Sequence, residues 1–186
     1  MNLPNKLTML RILMVPIYVG FVSASQSAIC QCIALFVFIA ACVTDLLDGR
    51  IARSRNLVTD FGKFMDPIAD KLLVMSALVT LVEQNRMPGW VCIIMLSREF
   101  IISGFRLVAS TKGLVIAAGI WGKLKTISQM IYIPMAILLL PLKSVDPDVH
   151  GVWYVLTSFM MYVSLVLALL SAFFYIWPNR AYIKDM

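Results

Sequence analysis

Four aspartates at helical spacing, in two neighbouring apolar segments, are the residues of this chain best suited to chemistry. Asp45 and Asp48 are three residues apart, and Asp66 and Asp70 are four apart, so each pair shares one face of a helix. Carboxylates are costly near the apolar core of a membrane and are kept there for function. Their oxygens are hard ligands that select Mg²⁺ or Mn²⁺, with Ca²⁺ also possible. The pattern predicts a site for divalent cations.

Four converging carboxylates repel one another strongly unless protons or cations neutralise them. Two divalent ions bound there could hold a phosphate and stabilise both the attacking and the leaving oxygen of an in-line displacement. An alternative is that some of the acids form ordinary ion pairs at the membrane surface with Arg53, Lys63 or Lys71. That alternative explains Asp60 better than it explains the set of four.

Three small residues each lie four positions from one of these aspartates: Gly49, Ala52 and Gly62. Small residues allow membrane helices to pack closely, and alone they would favour that interpretation. Beside the acids they favour a groove in which a bulky ligand lies against the helices.

A second polar set occurs later in the chain and consists of Arg98, Glu99, Arg106, Lys123 and Lys125. Buried cations need anionic partners, and we expect Glu99 to pair with one of these at most. The remaining cations predict a ligand that carries a phosphate, which arginine and lysine both bind well. The alternative, that Arg106 and the lysines only anchor the chain at the membrane surface, stays open, and it is weakest for Arg98.

The composition indicates a membrane protein made of helices. Hydrophobic residues make up 61% of the 186 residues and charged residues 14%, whereas soluble domains are roughly half apolar and a quarter charged. About 20 apolar residues cross a bilayer as a helix. The apolar stretches are 8–26, 28–54, 60–83, 88–111, 115–141 and 150–178. We therefore predict one all-α integral membrane domain over residues 1–186, with six transmembrane helices in a bundle.

The first seven residues precede the first apolar stretch and are expected to lie at the membrane interface; a flexible tail is the alternative. With six spans both chain ends lie on the same side of the membrane. All of the 16 lysines and arginines except Arg86 and Lys143 fall on that side. By the positive-inside rule, the termini and the aspartates are predicted to face the cytoplasm from a multi-pass position in the cell membrane.

Two other classes of protein are disfavoured by the sequence. A nucleic-acid-binding protein needs an exposed basic face on a soluble domain, and the apolar stretches leave no room for one. The cysteines all lie in apolar stretches with no histidine nearby, which indicates small buried side chains rather than a zinc site or disulfides. They are Cys30, Cys32, Cys42 and Cys92.

The complete pattern, D-x2-D-G-x2-A-R-x8-G-x3-D-x3-D from Asp45 to Asp70, resembles the signature of the CDP-alcohol phosphotransferases. Three shorter motifs resemble the bacterial phosphatidylglycerophosphate synthase branch of that family. They are Asn5-Lys6-Leu7-Thr8 with Arg11, Ser97-Arg98-Glu99-Phe100 and Gly122-Lys123-Leu124-Lys125-Thr126.

The resemblance implies a six-helix membrane fold with a short N-terminal interfacial helix, in a homodimer. It implies CDP-diacylglycerol as the donor and sn-glycerol 3-phosphate as the acceptor, with phosphatidylglycerophosphate and CMP as products. By the same resemblance, Asp45, Asp48 and Asp66 are metal ligands, and Asp70 is a further ligand or the catalytic general base. The positions implied to bind the CDP group are Gly49, Ala52, Arg53, Gly62, Asn5 and Thr8. Arg98, Arg106, Lys123 and Lys125 are the positions expected to bind the acceptor phosphate.

Three alternatives remain at this point. The same chemistry could use another acceptor, namely serine, inositol phosphate or phosphatidylglycerol, although the second cationic set favours a phosphorylated one. The acids could instead form the ion site of a divalent-cation transporter, which would require carboxylates near the middle of the bilayer. A membrane scaffold protein would leave the four acids unexplained.

Overall fold

The computed structural model describes residues 3–24, 27–54, 60–111 and 119–179, with the side chains of 3–4, 46–54, 60–64, 66, 110–111 and 144 outside the description. The described residues form six α-helices and no strand. The helices are α1 (Leu3–Ala24), α2 (Ala28–Ser54), α3 (Asp60–Glu83), α4 (Gly89–Thr111), α5 (Ile120–Val145) and α6 (Pro147–Ile176).

The prediction of an all-α membrane fold is confirmed at this level. Among the described residues, α1, α2, α5 and α6 are long and apolar enough to cross a bilayer. The other two helices carry more charge, with Asp70 and Lys71 in α3 and Arg98, Glu99 and Arg106 in α4. That these two also span the membrane stays a prediction.

Two local expectations differ from the structure. A separate interfacial helix before the first span is not present in the described part of the chain, because one helix runs without a break from Leu3 to Ala24. The break between the predicted stretches 115–141 and 150–178 is also shorter than expected, because α5 ends at Val145 and α6 begins at Pro147. Asp146 accepts hydrogen bonds from the backbone of Asp148 and Val149 at 2.9 and 3.3 Å, and this cap starts α6 at Pro147.

Helix α1 holds α2 and α3 together. It packs extensively against both, whereas α2 and α3 make few contacts with each other among the residues whose side chains the structure describes. The buried polar and apolar residues of α1 recur every three or four positions and so share one face. They are Asn5, Thr8, Arg11, Val15, Tyr18 and Val22. Elsewhere α2 packs on α5, and α6 packs on both α5 and α4.

The buried face of α1 is polar in its first half and largely apolar in its second half. Its later half is anchored by Tyr18, whose hydroxyl lies 3.1 Å from that of Thr80 on α3 and whose ring packs against Phe38 on α2. Its first half carries the polar residues, at the end of the helix nearest the aspartates. The outward faces of the bundle, in contrast, expose large apolar side chains such as Ile29, Phe36 and Phe159. Apolar surface of this extent is expected where lipid covers the protein.

Arg86, in the turn between α3 and α4, donates hydrogen bonds to α5 where a proline interrupts the hydrogen bonding of that helix. Pro141 has no N–H, so the carbonyl of Ile137 lacks its usual partner within the helix. Arg86 Nη1 donates to the carbonyl oxygens of Ile137 and Ala136, at 3.0 Å in both cases. Partial burial lowers the pKa of Arg86 from its ordinary value, but an arginine guanidinium is not deprotonated in proteins. The guanidinium therefore stays charged and fixes this turn to α5.

We expect Arg86→Met to destabilise the protein, because it removes both donors and leaves the carbonyl of Ile137 unpaired. Loss of hydrogen bonds from a charged group costs about 1.5–3 kcal/mol. Thermal unfolding in detergent would show a lower melting temperature than for Lys143→Met, which removes an exposed cation near the same end of α5. Equal melting temperatures for the two variants would contradict this role for Arg86.

Candidate active site

Arg11 joins the two aspartate segments. Its side chain is fully buried, and its Nη1 atom lies 2.8 Å from Asp45 Oδ1 and 2.7 Å from Asp70 Oδ1. Asp45 belongs to α2 and Asp70 to α3, so a single nitrogen from α1 contacts carboxylates on two other helices. The two carboxylate oxygens are consequently no farther apart than the sum of those two distances.

This geometry confirms that the two aspartate segments converge, and it changes how they do so. Helix α1 lies against both α2 and α3, and Arg11 supplies a positive charge that the sequence argument had not assigned to the acids. Asp48 and Asp66 belong to α2 and α3, and their side chains lie outside the described residues, as do those of Arg53 and Lys63.

The chemistry of Asp45 and Asp70 fits a divalent cation. Arg11 contacts Oδ1 of each, and a carboxylate has a second oxygen that can accept further partners. The side chain of Asp45 is 28% exposed and that of Asp70 is 50% exposed, whereas Arg11 has no exposed surface. Arg11 thus contacts the acids from the protein interior, and their accessible surface faces outward.

Two carboxylates do not complete a metal site. Among the side chains that the structure describes, no group of three or more histidines, cysteines or acids is close enough to hold a metal. A full set of oxygen ligands would need Asp48 and Asp66 as well, and these remain predicted ligands.

The positions expected to contact a nucleotide are only partly described. Gly49, Ala52 and Arg53 lie in the last turns of α2, and Gly62 lies in the first turn of α3, with their surroundings outside the description. Thr8 and Asn5 are buried on the same face of α1 as Arg11, about one and two turns before it. Nucleotide binding stays a prediction for all six residues.

The second polar set is arranged differently from the sequence expectation. Glu99 was expected to pair with one cation at most, and this is wrong. Its Oε1 atom accepts a hydrogen bond from Arg98 Nη1 at 3.0 Å and another from Lys125 Nζ. Lys125 is 3% exposed, so its charge is largely committed to Glu99, whereas Lys123 is exposed.

Helix α6 orients the two arginines of α4. Arg98 Nε donates to Ser171 Oγ at 2.9 Å, and Arg106 Nε donates to the hydroxyl of Tyr175 at 3.2 Å. These contacts use the inner nitrogen of each guanidinium. A small cleft lies between α4, the start of α5 and α6, and both arginines line it. At Gly122 a side chain would begin 3.8 Å from Arg98 Nη2, so this glycine keeps the cleft open beside the arginine.

Sequence reasoning missed the roles of Arg11, Ser171 and Tyr175. Arg11 appeared only as part of a motif, although a lone arginine in an apolar helix already indicates a buried anionic partner. Ser171 and Tyr175 lie in the most apolar helix of the chain and carry no signal of their own. Only the positions of the two arginines reveal them.

Comparisons with known proteins agree with the signature. A family model described as CDP-alcohol phosphatidyltransferase matches residues 1–173. The chain is 42% identical over 148 residues to CDP-diacylglycerol–glycerol-3-phosphate 3-phosphatidyltransferase of Bacillus subtilis, covering 74% of this chain and 77% of the relative. It is 40% identical over 139 residues to a probable phosphatidylglycerophosphate synthase of Mycobacterium tuberculosis, covering 74% of this chain and 66% of that relative.

A third relative extends the similarity to nearly the whole chain. The CDP-diacylglycerol–glycerol-3-phosphate 3-phosphatidyltransferase of Haemophilus influenzae is 33% identical over 189 aligned residues, which cover 98% of this chain and 92% of the relative. With its aspartate pattern, its converging α2 and α3 segments and these matches, the chain belongs to the CDP-alcohol phosphatidyltransferase family.

Proposed function

We propose that this chain is a phosphatidyltransferase that uses CDP-diacylglycerol as donor and sn-glycerol 3-phosphate as acceptor, forming phosphatidylglycerophosphate and CMP. The observation that carries the proposal is the convergence of Asp45 and Asp70 on Arg11, which brings the two halves of the family signature together. The names of the Bacillus subtilis and Haemophilus influenzae relatives support the choice of donor and acceptor.

Asp45, Asp48, Asp66 and Asp70 would hold two Mg²⁺ or Mn²⁺ ions. Such ions would supply positive charge to offset the negative charge that develops on the departing CMP. In the reaction, the acceptor hydroxyl oxygen forms a bond to the phosphatidyl phosphorus, and the bond from that phosphorus to the CMP oxygen breaks. The hydroxyl proton must leave in the same process.

Asp70 is the residue of this set best placed to meet the acceptor. Its side chain is 50% exposed, while its Oδ1 atom is held by Arg11. Two roles are compatible with this position: the carboxylate accepts the hydroxyl proton, or it orients a hydroxyl that the metal acidifies.

The cleft of Arg98 and Arg106 is the proposed binding site for the acceptor phosphate. Both guanidinium groups are held at Nε by α6, which fixes them in place. A guanidinium group that is already oriented loses less side-chain freedom when it binds phosphate than one that is free to rotate. Lys125 acts through Glu99 in this arrangement, and Lys123 is exposed near the start of α5.

The membrane orientation and the assembly are part of the proposal. The distribution of lysine and arginine supports a site that faces the cytoplasm, with both chain ends on that side. A homodimer embedded in membrane lipid is proposed from the family resemblance alone.

Assays on the purified protein would test the reaction directly. With CDP-diacylglycerol in detergent micelles, we expect CMP release and a new lipid with sn-glycerol 3-phosphate, but not with serine, inositol phosphate or phosphatidylglycerol. EDTA should abolish the activity, and Mg²⁺ or Mn²⁺ should restore it. Turnover with another acceptor would correct the substrate, and Mn²⁺ uptake into proteoliposomes without CMP release would indicate a transporter.

Asp70→Asn should abolish turnover while CDP-diacylglycerol binding remains within a few-fold of that of the unaltered protein. The amide can neither take up the proton nor hold a cation as a carboxylate does, and loss of such a group lowers kcat by about 10²–10⁴-fold. Asp148→Asn, at the exposed start of α6, is the matched control. A near-normal rate for Asp70→Asn would show that the assigned role is wrong.

Arg98→Ala should raise the KM for sn-glycerol 3-phosphate by about tenfold or more, because a charged hydrogen bond to the phosphate is lost. The KM for CDP-diacylglycerol should change little. Arg98→Lys keeps the charge but loses the Nε bond to Ser171, so its effect should be intermediate. Unchanged acceptor kinetics in Arg98→Ala would place the acceptor site elsewhere.

A further inference from the structure

Arg11 is completely buried, which is rare for a charged residue. It has no exposed surface, yet its Nη1 atom lies within 2.8 Å of two carboxylates from different helices. A buried charge without partners costs several kcal/mol, so the position of Arg11 requires these anions. The anions likewise require a cation, because neighbouring carboxylates repel each other.

The two carboxylates contact a buried residue and are also partly accessible to water. Arg11 approaches Asp45 and Asp70 from the protein interior, and the exposed fractions of the two acids show that they remain accessible from the other side. A divalent ion that arrives from water would therefore meet the same two carboxylates on the face opposite Arg11. The arginine and the ion need not compete for one position, but they neutralise the same charges.

We propose that Arg11 is a permanent counter-ion of the acidic site, a positioning residue that keeps α2 and α3 together between cycles of metal binding. This inference rests on the proposed metal site. Among the residues whose side chains the structure describes, α2 and α3 make few direct contacts with each other, whereas Arg11 on α1 contacts a carboxylate of each.

Removal of the arginine should have two linked effects. Without any metal, Asp45 and Asp70 would repel each other without the positive charge of Arg11 between them, and α1 would lose its ion pairs to both helices. With metal, the ion would become the main cation at these carboxylates and would bind more tightly, because a neighbouring positive charge has gone. Arg11 and the ion are thus negatively coupled, and such coupling acts equally in both directions.

The test measures thermal unfolding in detergent with EDTA and with saturating Mn²⁺, without substrate. In Arg11→Met we expect a lower melting temperature than in the unaltered protein in EDTA. The increase caused by Mn²⁺ should be at least about twofold larger than in the unaltered protein, because tighter binding to the folded state stabilises it more. Lys6→Met removes an exposed cation from the same helix and should behave like the unaltered protein.

Two further variants separate charge from shape and cover the case in which Arg11→Met does not fold. Arg11→Gln keeps a hydrogen-bond donor without the charge and should show the enlarged Mn²⁺ effect. Arg11→Lys keeps the charge and should show an effect of normal size. A Mn²⁺ effect in Arg11→Gln equal to or smaller than that of the unaltered protein would overturn the inference and leave the metal site standing. No Mn²⁺ effect on any of the proteins would overturn the metal site and this inference together.

Discussion

A buried positive charge between two helices is the interaction on which this bundle depends. Arg11 cannot be transferred into an apolar interior without anions, and Asp45 and Asp70 cannot approach each other without a cation. The requirement agrees with the packing of α1 against both α2 and α3. Helix α1 contributes none of the four aspartates, yet its Arg11 holds the carboxylates of Asp45 and Asp70 close together.

The same constraint applies to other cations that the described helices bury in full or in part. Arg98 and Lys125 share the carboxylate of Glu99, which links α4 to α5. Arg86 donates to backbone carbonyls of α5, and the exposed Arg106 donates to the hydroxyl of Tyr175 on α6. In a lipid environment the hydrophobic effect does little to bring helices together, so polar contacts of this kind gain importance beside the apolar core.

The sequence predicted the helices well because long apolar runs bounded by short polar segments leave little choice. Four of the six helices begin within three residues of the predicted stretch, whereas α1 begins five residues before its stretch and α5 begins five residues after the start of its stretch. It did not predict the cap at Asp146 or the unbroken start of α1. Aspartate before proline was interpreted as loop, although the same pair commonly begins a helix. The spacing of the aspartates identified the candidate site. It could not identify the partner of Arg11 or the double pairing of Glu99, since both depend on how helices rotate against one another.

The ion pair of Arg11 also bears on how the protein enters the membrane. Translation makes α1 first, so this arginine leaves the ribosome well before either of its carboxylates exists. An arginine alone in the hydrocarbon is unfavourable and tends to stay near the lipid headgroups. We therefore expect Arg11 to complete its ion pairs only once the third helix, which carries Asp70, has been inserted.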